Sequence, residues 1–145
     1  MIGKWLEEKV SLKRTLEDGM QKQVKELYLV DAINFTEAEA RILEELRVYG
    51  ELNIVGIKNC DAHELVDSHN PEDGYWYKVK IAIVTIDESA GKEKKANMNL
   101  YVRAKDFKSA LANTEEYMSS SVADYTITSI AETAIMDVFE HQVTA

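Results

Sequence analysis

The stretch Tyr-Leu-Val-Asp-Ala-Ile-Asn-Phe-Thr-Glu-Ala-Glu-Ala-Arg-Ile-Leu-Glu-Glu-Leu, residues 28–46, decides the fold. Tyr28, Val30 and Ala32 alternate with polar or outward positions and continue the face begun by Val24, which is the period of a half-buried strand. Thr36 with Glu39 has the spacing of a capping box and predicts a helix start there. Ala38, Ile42, Leu43, Leu46 and Tyr49 then fall in one apolar stripe at helical spacing. Gly50 suits the residue that ends a helix with positive φ. A diverged copy returns at residues 100–118, where Ala104, Phe107, Ala110 and Ala112 repeat Ala32, Phe35, Ala38 and Ala40 at one constant offset.

Working outward, Leu6, Val10, Leu12 and Leu16 alternate with Glu7, Lys9, Ser11 and Lys13, a strand that joins the next through the turn Glu17-Asp18-Gly19. Residues 51–58 predict a third strand, buried in part on both faces. In the second half Trp76 takes the place of Trp5, and Tyr77, Val79, Ile81 and Ile83 match Leu6, Glu8, Val10 and Leu12. Ala82, Val84 and Ile86 make the other face of that strand apolar as well, which predicts a more central strand. Asp87–Ala96 reads as a polar hairpin tip, with Gly91 in the place of Gly19. Met98, Leu100, Val102 and Ala104 form the next strand face, Asp106 caps a helix, and Phe107, Ala110, Leu111, Thr114, Tyr117 and Met118 form its stripe. Ile127 and Ile130 match Ile54 and Ile57, and residues 132–140 read as a further strand or an extension of the last.

The expected architecture is α+β: a tandem duplication of a strand-strand-helix-strand unit, mostly antiparallel, with two helices packed on the sheet. The repeats run over residues 1–70 and 75–145 as one domain. Residues 59–74, with the only proline, form a polar junction in which 62–66 predict a short helical turn. An edge strand of either copy offers a route to a homo-oligomer.

Composition narrows the classes. The chain has 145 residues, 46% of them apolar, enough for a core without staples. One cysteine excludes an internal disulfide, and neither a signal peptide nor a membrane span is visible, so the expected location is the bacterial cytoplasm. Net charge is -9; residues 1–73 carry 9 basic and 16 acidic groups, the remainder 8 and 10. Such a balance opposes duplex nucleic acid, whose affinity comes from Lys and Arg releasing counterions.

Three groups carry possible chemistry. Cys60, His63, Glu64, Asp67 and His69 are ligand-type side chains, with Cys60 and His63 the weak metal candidates, yet paired zinc-type spacings are absent and the bland reading is a polar junction. Gly91-Lys92 lacks the upstream glycine and the Ser or Thr of a phosphate loop, and a solvated turn explains it better, although Lys92, Lys94 and Lys95 make the best local basic patch. Trp5, Trp76 and Tyr77, with Tyr28, Tyr75 and Tyr101, have the character to stack a base or line a pocket, against the commoner reading as core pairs. No nucleophile with a supporting base is visible; His141 lies near the chain end. Neither enzyme activity nor a cofactor is expected.

Tyr28–Ala32, Phe35–Arg41, Trp76-Tyr77-Lys78, Gly91–Lys95 and Ala131–Val138 together resemble an uncharacterised, domain-of-unknown-function family of Bacteroidetes and their phages, over nearly the whole chain. The resemblance brings no activity and no site residue with it. It implies a phage or mobile-element setting, in which small acidic proteins often act as interaction proteins, including inhibitors of host defence. The expected function is therefore a non-enzymatic binding protein, with a protein partner met by the acidic face of the first helix or a small anionic ligand held between the copies. The alternative is single-stranded nucleic-acid binding through sheet aromatics and the three lysines; an enzyme acting on a nucleotide has least support.

Overall fold

A computed structural model describes residues 4–140 of the chain. In order it contains β1 (Lys4–Thr15), β2 (Gln21–Ala32), α1 (Phe35–Glu45), a 3-10 turn (Arg47–Tyr49), β3 (Leu52–Asn59), β4 (Glu64–Val66), β5 (Tyr75–Asp87), β6 (Lys92–Ala104), α2 (Phe107–Met118), β7 (Asp124–Glu132) and β8 (Ile135–Phe139). His141 lies outside the described residues. The fold is α+β: eight strands in two mostly antiparallel sheets, each with one helix packed on it.

The contacts divide the chain into two compact units, of which the first is interrupted in sequence by the second. The first runs to Asp61 and resumes at Ala134; the second is Ala62–Thr133. In the first, the strand order is β3-β1-β2-β8, antiparallel except for β8, which lies parallel to β2. In the second it is β4-β6-β5-β7, with β4 parallel to β6. Read from β7, this is the same order. Each sheet thus has a β-β-α-β set plus a fourth, parallel strand. The segment after β3 supplies the fourth strand of the second unit, and the segment after β7 supplies that of the first.

This exchange corrects the reading of residues 62–66 as a helical turn. Glu64, Leu65 and Val66 pair with Leu100, Tyr101 and Val102. The strand is latched at its start: the His63 amide donates to the Asn99 carbonyl (2.9 Å) and the Asn99 amide donates to His63 Nδ1 (2.9 Å). An open β6 edge needs partners for its amides and carbonyls, and three residues ending in Leu-Val satisfy them better than a single helical turn would.

In the first unit Leu6, Val10 and Leu12 of β1, Tyr28, Val30 and Ala32 of β2, and Ala38, Ile42 and Leu46 form the core. Leu52, Ile54 and Ile57 all pack against it although Ile57 has the opposite parity. The register shifts between Lys9 and Val10, leaving Val55 as an extra residue on β3, so the bulge returns Ile57 to the core side and leaves Val55 50% exposed. The second unit repeats the device between Lys80 and Ile81, and Tyr125, Ile127 and Ile130 all pack inward. The sequence expectation of a β3 buried on both faces fails for this reason.

The start of α1 also differs from expectation. Asn34, not Thr36, is the N-cap of α1: its backbone is extended and its side chain accepts from the Glu37 amide at 2.8 Å. Asp106 caps α2 as expected, accepting from Ser109 at 2.7 Å. Each cap is worth about 1 kcal/mol. Gly50 (φ 81°) ends the 3-10 turn that follows α1 and not α1 itself. The buried stripes are narrower than the wheel suggests. Leu43 and Tyr49 stand substantially in solvent, as do Phe107, Leu111 and Tyr117.

The β5–β6 ladder continues to Asp87 and Lys92, so Lys92–Ala96 is strand and the tip is only residues 88–91. Asp87 accepts from the Ser89 amide and hydroxyl, and Gly91 turns with φ 63°. Polar alternation had hidden a strand that pairs without burying a face. β5 is an inner strand, but so is β1, and Ile86 is largely exposed.

Candidate functional site

The helix covers only one side of the first sheet. On the opposite side, strand alternation brings Ser11, Lys13 and Thr15 of β1 beside Gln23 and Gln21 of β2 and Asn53 of β3, since Ser11 pairs with Asn53, Lys13 with Gln23 and Thr15 with Gln21. These side chains floor a cleft of about 570 Å³, bordered also by Arg14, Val48, Tyr49 and Glu51. Its floor is made of hydroxyls, carboxamides and one ammonium group. Gln23 Nε2 donates to Ser11 Oγ at 2.6 Å.

The charges in the cleft are unequal. Arg14 is held rigidly: Nε and Nη2 donate to the two carboxylate oxygens of Glu26 at 3.1 and 2.7 Å, and its guanidinium lies 4.1 Å from the centre of the Tyr49 ring. The Tyr28 hydroxyl donates to the same carboxylate at 2.8 Å. Burial pushes Glu26 up, but the hydrogen bonds from Arg14 and Tyr28 outweigh it and hold the carboxyl below its ordinary value. Burial, then the bond to Glu26, raises Tyr28. Arg14 is thereby a structural cation whose charge is already answered. Lys13 carries no ion pair among the described residues, so it is the charge a ligand can recruit. The cleft lining contains no histidine; Glu51 is its one carboxylate, and hydroxyls, carboxamides and the Lys13 ammonium supply its hydrogen-bonding groups.

Basic charge collects around this hairpin. Residues 9–25 carry five basic and two acidic side chains in a chain of net charge -9. In the second unit Lys80, Lys95, Asn97 and Asn99 fall on the corresponding face, since Lys80 pairs with Asn99, Ala82 with Asn97 and Val84 with Lys95. Lysine and carboxamide side chains thus mark the helix-free face of both sheets.

The residues singled out by sequence lie elsewhere. Trp5 and Trp76 also point away from the helices but are 8% and 5% exposed, and Tyr101 is buried beside Trp76's strand. Tyr77 faces the other way, buried, with its ring 5.0 Å from that of Phe107. None of these rings has an open face for a base. Lys92 and Lys94 point to one side of β6 and Lys95 to the other, all exposed, so the three form no single patch. Cys60 belongs to the first unit, where its amide donates to Trp5, and His63 to the second, where it latches β4. Asp67 is ion-paired with Arg103 at 3.3 Å. Among the described residues no three His, Cys, Asp or Glu side chains group as metal ligands. Among them, too, no helix is long and apolar enough to cross a membrane.

Sequence reasoning passed over Ser11, Lys13, Gln21, Gln23 and Asn53 because an alternating polar face reads as solvated surface. The usable signal was the clustering of glutamines and lysines at like parity on two adjacent strands.

The model of a family described as a domain of unknown function, DUF4494, matches residues 4–141. No curated protein and no solved structure matches the chain.

Proposed function

Taking as premise that this chain belongs to the DUF4494 family, a domain of unknown function, we propose that it is a non-catalytic binding protein whose first unit holds an anionic, hydrogen-bonding ligand on the helix-free face of its sheet. The observation that carries the reading is the cleft itself: Lys13, with no ion-pair partner among the described residues, stands over a floor of Ser11, Gln21, Gln23 and Asn53. Carboxamides and hydroxyls orient a polar ligand, and an unanswered ammonium selects its charge. In this reading the two units descend from one duplicated segment, and the setting is the cytoplasm of a Bacteroidetes host of phages or mobile elements. A protein partner, including a host defence protein, would meet the exposed Glu39, Glu44 and Glu45 of α1.

One observation favours a second reading, single-stranded nucleic acid. The lysine and carboxamide face recurs at Lys80, Lys95, Asn97 and Asn99, so each sheet by itself offers charge and hydrogen-bond donors to a phosphate backbone. The buried tryptophans weigh against it, because neither offers a ring face for stacking and Tyr75 is the one exposed ring among the aromatics named from the sequence.

Titration of 15N-labelled protein at low salt with inorganic phosphate, and separately with a short oligothymidylate, tests both. The first reading expects phosphate to shift the amides of Ser11, Lys13, Gln23 and Asn53, and Lys13→Glu to weaken binding by about tenfold or more, the loss expected when a charge-assisted hydrogen bond is removed. Shifts that extend to Lys80 and Asn97 only with the oligonucleotide would favour the second. Shifts confined to other surfaces, or none with either probe, would contradict both.

A further inference from the structure

The core of the first unit contains one residue that its apolar pattern does not explain. Glu8 sits between Leu6 and Val10 on the helix-facing side of β1, is 0% exposed, and neither carboxylate oxygen meets a hydrogen-bond donor among the described residues. The equivalent position of the second unit is Val79, likewise 0% exposed. The equivalence is fixed by register: Glu8 lies opposite Tyr28 and Ile57, Val79 opposite Leu100 and Ile130. A buried carboxylate without partners is among the costliest groups a core can hold when charged and a tolerable one when neutral.

We propose that Glu8 is a proton-controlled latch for helix α1: protonated, it lets α1 lie flat on the first sheet, and ionised, it loosens the helix. The groups that face it make the device work. From α1 come Ala38 and Ile42 in the shared core and Glu39, whose like charge opposes ionisation; from β2 comes Tyr28, whose hydroxyl is donated to Glu26; β3 contributes Ile57 and β8 contributes Phe139. Cations of the neighbouring elements are ion-paired with other carboxylates: Arg14 with Glu26, Lys58 with Glu7, Arg41 with Glu45. Burial, aided by Glu39, raises Glu8 from 4.5 to about 7, which places the transition within the ordinary physiological range. α1 leads through Leu46 into the 3-10 turn whose Val48 and Tyr49 border the cleft, so loosening the helix also unsettles that wall. This last step rests on the cleft being the binding site; the latch does not.

Hydrogen exchange by mass spectrometry, corrected for the intrinsic pH dependence of exchange, reads the latch directly with no ligand present. Between pH 6 and pH 8 the protection of α1 relative to α2 is expected to fall about tenfold in the natural chain, following a single proton with this shift. Glu8→Gln, which cannot ionise, and Glu8→Val, which copies the second unit, should abolish the fall, and Glu39→Gln should diminish it. An α1-to-α2 ratio constant between the two pH values, or one that falls equally in the Glu8 variants, would overturn the proposal. If the latch responds while the phosphate titration shows no cleft shifts, the binding reading fails alone.

Discussion

A chain ending at residue 133 should lose the folded first unit while leaving the second largely intact. β8 covers the open edge of β2 through the pairs Leu27–Ile135, Tyr28–Asp137, Leu29–Val138 and Val30–Phe139. Ile135 is buried, and Phe139 stacks on Tyr28 with ring centroids 5.5 Å apart. Deleting β8 removes several ladder hydrogen bonds at about 1 kcal/mol each and the burial of two large apolar side chains at roughly 2 kcal/mol each. Together these rival the whole stability of a small domain. It also bares Leu29 and Val30 on an unprotected edge, an invitation to aggregation. The second unit keeps its own fourth strand, β4, which lies well upstream of the cut. Two-dimensional 15N spectra of the truncated chain should therefore retain dispersed resonances for residues 75–132 and lose those for 5–59. Retention of both sets would show that β8 contributes little to the first sheet.

The second large effect is a dependence of stability on pH opposite to that of most acidic groups. Glu8 is raised in the folded state, from 4.5 to about 7. Below the unfolded value it is protonated in both states and imposes no penalty. Between about 4.5 and 7 the unfolded chain ionises while the folded one keeps its proton, so stability declines as pH rises. Above 7 both states are ionised and the loss is complete, at about 3 kcal/mol for a shift of this size. Glu26 works in the other direction: held below its ordinary value, it contributes stability above the unfolded carboxyl range that is lost as pH falls through the folded value. Urea midpoints of the natural chain and Glu8→Val, measured at pH 5 and pH 8, separate the two. The variant should gain about 2.5 kcal/mol at pH 8 relative to its effect at pH 5, where part of the penalty is already present. An equal effect of the substitution at the two pH values would mean that Glu8 is solvated or paired in solution.

Much of this architecture was legible because burial on one face of a strand leaves period two in the chain. The hairpins and both helices follow from Leu6, Val10, Leu12, Tyr28, Val30 and their second-half counterparts. Three features escaped, each for a physical reason. The bulges at Val55 and Thr128 reverse parity in mid-strand, so β3 and β7 show no clean alternation even though each buries a single face. Strands β4 and β8 are short, and their place is set by a vacant edge in a sheet built from a distant part of the chain; Leu65-Val66 is too brief to announce that. The helix cap at Asn34 was masked by Thr36, whose capping-box spacing to Glu39 is the stronger sequence pattern although the geometry at Asn34 prevails. The cleft was illegible for a different reason. Ser11, Lys13, Gln21, Gln23 and Asn53 look like solvated surface one by one, and only pairing across three strands makes them a site. Glu8 did leave a trace, a carboxylate in the phase of an apolar strand where Val79 stands in the other half.

Everything that positions the cleft and the latch depends on the exchange of fourth strands, and nuclear Overhauser contacts between β2 and β8 test it most directly. Backbone contacts linking Tyr28–Val30 to Asp137–Phe139 in a parallel pattern are the expected result. Contacts that instead place residues 135–139 antiparallel to β7, as a simple hairpin continuing the second sheet, would contradict it.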